Sequence, residues 1–295
     1  MADPDQLHDV PDLDIRGDSD PHWFGGSERP KGPWIAAGIL IVAALAAAFF
    51  LLRKPSTPAE NEAAAPSAAS APAPAAPLGG DGAAVDVPPL DQTDALVRDM
   101  VRQLTSHPSV AAWLTTEGLL RNFTVVVANV ADGASPSVHL GAIRPTTGFQ
   151  VVDSGRGPVI DPRSYQRYDT VAAAVEGIDP AGAAKLYSTF KPRLEEAYRD
   201  LGHPDTPFDR TVETAIVELL ETPVAEGNIA LRPAGGVGYA FADPNLESLT
   251  AAQRQLLRTG PENMRGIQQS LRSIALALGI PADRLPAPRT VRGTR

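Results

Sequence analysis

Glu195 and Glu196 are adjacent acids on a helical stretch, and a pair of carboxyl groups is what hydrolysis of a glycan requires. A glycosidase needs its two carboxyls about 5 to 9 Å apart across a cleft, one of them with a raised pKa. Neighbouring residues of a helix project in different directions, so this pair reads as two members of a solvated face. His203 with Asp205 and Asp209 forms a trio suited to a metal or to acid–base work. Yet Gly-His-Pro-Asp is also ordinary helix-stop and turn chemistry. The other histidines, His8, His22, His107 and His139, have no partner at a metal-ligand spacing such as HExxH. Gly235, Gly236 and Gly238 suggest a phosphate loop, but such a loop opens a helix, and Tyr239 and Phe241 read as strand. No Gly-x-Ser-x-Gly elbow occurs. The chain has no cysteine, which excludes a thiol nucleophile, a disulfide and a Cys-ligated zinc. No catalytic, cofactor-binding or metal-ligating residue is therefore assigned, and no cofactor is expected.

The elements that would position such residues begin after a membrane anchor. Trp34 to Leu52 is an uncharged apolar run between Lys31 and Arg53. At 1.5 Å per residue it extends about 28 Å, the hydrocarbon thickness of a bilayer. A signal peptide would have a shorter apolar stretch followed by a small-residue cleavage site; here Phe49 to Leu52 and then Arg53-Lys54 follow the alanines. The partner of this segment is the lipid bilayer. Residues 1–33 carry eight acidic against three basic residues and no apolar period, which predicts a disordered tail. Residues 34–53 are the transmembrane helix, and 54–89 form an Ala/Pro-rich disordered spacer biased towards polyproline II. Lys and Arg favour a cytoplasmic N-terminus by a margin of one. The plan of anchor, spacer and domain suits the bacterial inner membrane with a periplasmic domain.

Residues 90–280 hold about 190 residues, enough for one core. The expected class is mainly α, with two short β-hairpins. Asp91 is expected to cap a helix bearing Val97, Met100, Val101 and Leu104. Pro108 opens a short helix with Trp113, and Leu119 to Val130 make the next, closed by Gly133. Asp161-Pro162 and Asp179-Pro180 are acidic N-caps with proline at the first helical position. The second starts a helix with Leu186, Phe190, Leu194, Ala197 and Leu201 inward, which Pro192 is expected to kink or restart. Further helices follow Pro207, the Thr250–Gln253 capping box and Pro261. Hairpins are expected across Asp-Ser-Gly-Arg-Gly and across the glycines near 236. Residues 281–295 read as a disordered basic tail able to touch anionic lipid or an acidic partner.

The segments PPLDQTDALVRDMVRQLTSHP, FQVVD, IDPRSYQRYD, LYSTFKPRLEEAYRDLG, FADPNLESL and LLRTGPENMRGIQQSLRSIA, in this order, resemble the bacterial DUF3014 family. The resemblance covers residues 88 to 279. It implies the same plan of tail, single span, Pro/Ala-rich spacer and domain, and supplies no reaction or catalytic residue. The expectation is a non-enzymatic binding or scaffolding domain on a long tether, with an envelope protein or the cell wall as partner. The alternative is a peptidoglycan hydrolase using carboxylates of the helical domain. The chain's net charge of −9 argues against a nucleic-acid partner.

Overall fold

Ten helices and six three-residue strands follow one another among residues 77–80, 85–234 and 238–293, which the computed structural model describes. The acidic tail, the span at Trp34 to Leu52 and the spacer up to residue 76 lie outside the described residues. Among the described residues no helix is long and apolar enough to cross a membrane. The expected mainly helical domain with short β-hairpins is what the chain forms.

The first half is helical. α1 (Asp94–Leu104), α2 (Pro108–Trp113) and α3 (Leu119–Ala131) precede a 3-10 segment at Ser137–Ile143. α1 starts after Thr93, not at Asp91 as expected; the Thr93 hydroxyl bonds the Leu90 carbonyl, and Asp91 points to Arg121 instead. α4 (Arg163–Gln166) and α5 (Asp169–Glu176) split the predicted single helix at Tyr168, whose ψ of −4° interrupts the turn. Asp161 still accepts from the Arg163 N–H, as its capping role requires. α6 (Pro180–Asp200) starts at the Asp179 cap and runs 21 residues through Pro192 without restarting. Pro192 lies on an exposed face, where its ring meets water and the one missing backbone bond is tolerated. Leu201, expected inward, is 43% exposed because the helix has ended before it. α7 (Phe208–Leu220) completes the helical half, whereas Tyr165 of α4 and Ala172 and Val175 of α5 pack into the mixed one.

The second half mixes short strands and helices. β1 (Val151–Asp153) pairs antiparallel with β2 (Pro158–Ile160), and β4 (Leu231–Pro233) with β5 (Tyr239–Phe241). A bridge from Val159 to Ala230 joins the two hairpins. α8 (Pro244–Glu247) and α9 (Ala251–Leu257) follow, the latter with both arms of the Thr250–Gln253 capping box in place. α10 (Pro261–Ala277) then runs from one half into the other.

Residues 281–293, expected as part of a disordered tail, are ordered. β6 (Thr290–Arg292) pairs in parallel with β3 (Val224–Glu226), and Leu285 is buried. Two of the basic residues that suggested lipid contact serve the domain: Arg284 pairs with Glu213 at 2.7 Å and Arg289 donates to the Glu221 carbonyl. Parallel pairing needs no hairpin turn, so no local signal marks it.

Two cores result. Phe190, Leu194, Phe208, Val212, Leu119 and Val97 fill the helical one; Phe241, Ile160, Val224, Leu257 and Met264 fill the mixed one. α10 gives Met264 and Ile267 to the mixed core and Ala275 to the helical core, and Leu278, just past its end, joins the helical core.

Candidate functional site

The carboxylates of α6 hold the backbone and a cation. Both oxygens of Glu195 accept from the Phe208 N–H, at 3.0 and 3.1 Å. That N–H is at the start of α7, where Pro207 has no capping side chain. Glu196 turns the other way and pairs with Arg193 at 2.8 Å. The same arginine reaches the carbonyls of Val87 and Pro88. The two glutamates thus do not face each other across a cleft.

The His203 trio is also dispersed. The imidazole stacks on the Tyr198 ring, 4.4 Å between centroids and 5° between planes, while Asp205 is exposed. Asp209 belongs to another cluster: it accepts from the Tyr187 hydroxyl at 2.6 Å, Lys191 at 2.5 Å and the Leu78 N–H at 3.1 Å. Among the described residues no three His, Cys, Asp or Glu side chains converge as a metal site would require. His107 caps α2 through Nδ1, and His139 sits in the 3-10 segment, where its carbonyl accepts from Asn122. Gly238 accepts from the Ala234 N–H, closing the β4–β5 hairpin; Gly235 and Gly236 lie outside the described residues.

Burial, reinforced by donation to Asp209, raises the Tyr187 pKa, and burial pushes Tyr165 up to about 12. Both phenols stay protonated at neutral pH and act as donors or apolar mass, not as phenolate nucleophiles.

A charged cleft at the head of α3 is the feature the sequence did not reveal. Leu90, Asp91, Asp94, Arg98, Glu117, Gly118 and Arg121 line about 330 Å³. Gly118 has φ +64°, a left-handed conformation that glycine takes at no steric cost, and has no side chain to cap α3. Asp94 supplies the cap from another helix, its two oxygens each 2.8 Å from the N–H groups of Gly118 and Leu119. Arg98 holds the approach, donating to the carbonyls of Leu114 and Thr116. Arg121 bridges Asp91 and Asp200 at the rim. The Asp94–Arg98 spacing of four residues was the available signal, and it reads equally as an ordinary surface pair. Chemically the cleft offers exposed charges of both signs, with its inner carboxylate already bonded to backbone.

These features define a mainly helical domain with short β-hairpins and a polar, open cleft. The chain belongs to the family described as "Protein of unknown function (DUF3014)", whose sequence pattern matches residues 119–275. No curated protein and no solved structure matches the chain.

Proposed function

We propose that this chain is a non-enzymatic binding or scaffolding domain, tethered to the bacterial inner membrane and displayed in the periplasm, whose cleft at the head of α3 receives an envelope protein. One observation carries the reading: the acids with catalytic promise, Glu195 and Asp209, are bonded to backbone and to Lys191, whereas the cleft rim stays open to solvent. Asp91 and Arg121 expose 82% and 41% of their side chains. Exposed pairs of this kind contribute little to stability, so a partner's charges can replace them at small cost. The span at Trp34 to Leu52 and the spacer after it support the membrane placement by length and composition. Engagement of Glu195 and Glu196 elsewhere supports this reading over a peptidoglycan hydrolase using carboxylates of the helical domain.

The test places a photo-crosslinking residue at Glu117 in the full chain in its native membrane. The expected result is a discrete adduct with one envelope protein, abolished by Arg121→Glu. An adduct pattern unchanged by that reversal, or release of fragments from peptidoglycan by the purified chain, contradicts the proposal.

A further inference from the structure

Leu78 belongs by sequence to the Ala/Pro-rich spacer, yet it is 7% exposed and packs in the helical core. Its N–H donates to the Asp209 carboxylate at 3.1 Å, and the next N–H, of Gly79, donates to the Leu278 carbonyl at 2.8 Å. Tyr187 and Lys191 aim that carboxylate from the other side. α6, α7 and the end of α10 therefore each give one part of a receptor for two residues of spacer. The receptor is selective. Gly79 has φ +78°, and a Cβ there would lie 3.0 Å from both the Ala184 carbonyl oxygen and the Ser188 Cβ. It accepts glycine after the leucine and strains any larger residue there, through the positive φ and the tight contacts together. Beyond it the chain is gripped again where Arg193 holds the carbonyls of Val87 and Pro88, just before the buried Leu90.

We propose that this groove is an intramolecular dock for the spacer segment 77–80, and that the segment leaves it while the domain stays folded. The occupant is the chain's own because covalent continuity gives it a high effective concentration at the groove. Its hold consists of one apolar side chain and two main-chain hydrogen bonds at the edge of the core. Elements so thinly attached open separately from the global transition. The grip of Arg193 keeps the helical fold closed when the dock empties. The tether then has a short form and a long form, and release of residues 77 to 86 adds at most on the order of 30 Å at polyproline spacing. The change in reach rests on the membrane-tether reading; docking and release do not.

Amide hydrogen exchange on the full-length protein in detergent micelles tests this. Leu78 and Gly79 are expected to exchange more slowly than in a free peptide, yet at least about tenfold faster than Phe190 and Leu194 in α6. In Gly79→Ala, protection of both spacer amides should fall to the free-peptide rate with α6 unchanged, and Leu78→Ser should do the same. Exchange of wild-type Leu78 at the α6 rate would mean the segment opens only with the whole domain and would overturn the proposal. So would exchange at the free-peptide rate in wild type, retained protection in Gly79→Ala, or loss of α6 protection in either variant. Failure of crosslinking at Glu117 would leave these rates untouched, so the two proposals fail separately.

Discussion

The helical half and the mixed half solve the same problem, closing a core, by different means. The helical half joins its elements through side chains that cross from one helix to another: Asp94 caps α3, and Glu195 caps α7. The mixed half joins its elements through backbone, with three two-stranded sheets of three residues per strand. Its caps are local, as at Thr250 and Asp243. In the helical half a carboxylate is therefore part of the scaffold even where its sequence context suggests chemistry. In the mixed half backbone pairing joins the strands, and neutral side chains tie the helices on: Gln268 donates to the Leu219 and Thr222 carbonyls, Asn263 to Tyr165 and Ser270 to Val175.

Emptying one core should unfold the other. Phe208 is fully buried against Tyr187, Tyr198 and Phe123. Phe208→Ala should cost about 3–5 kcal/mol in denaturant unfolding. Because α10 contributes to both cores, the Phe241 region should unfold in the same transition. Two separated transitions would show that the halves are independent. A smaller loss, about 1–3 kcal/mol, is expected from Gly260→Ala. Gly260 precedes α10 at φ +87°, and the Tyr165 ring fills the space a Cβ would need. Full retention of stability there would mean the mixed half tolerates backbone change that its tight turns should forbid.

Tyr165 also gives the mixed half an alkaline limit. Its folded pKa is pushed up to about 12 by burial, so the folded state holds the proton more tightly than the unfolded chain does. That contribution is fully present below about pH 10 and is lost as pH rises towards 12. Tyr165→Phe should flatten this limb in thermal melts between pH 9 and 12. An unchanged slope would assign it to other groups.

The two halves also differ in how much of them the sequence made legible. Periodic apolar stripes and local caps such as Asp179 and Thr250 predict helices because their signals lie within one turn of their effects. The hairpins were readable for the same reason, since a Gly-containing turn joins neighbouring strands. The β3–β6 pair was not, because nothing local ties Val224 to Thr290. Remote capping was equally hidden: Asp94 and Glu195 look like surface acids until Gly118 and Phe208 are placed beside them. The cleft followed the same logic, since it exists only where α1 meets the head of α3. Leu78 reads as spacer by composition, and only the dock formed by Asp209 and Leu278 gives it a place.

The acids resembling a catalytic set are structural braces, and Glu195 is where that role can be measured with a single substitution. Glu195→Ala leaves the Phe208 N–H at the head of α7 without its acceptor. Denaturant unfolding of the full chain should show a loss of about 1–2 kcal/mol, the cost of a helix cap. Unchanged stability would show that the Glu195 carboxylate does not brace the head of α7.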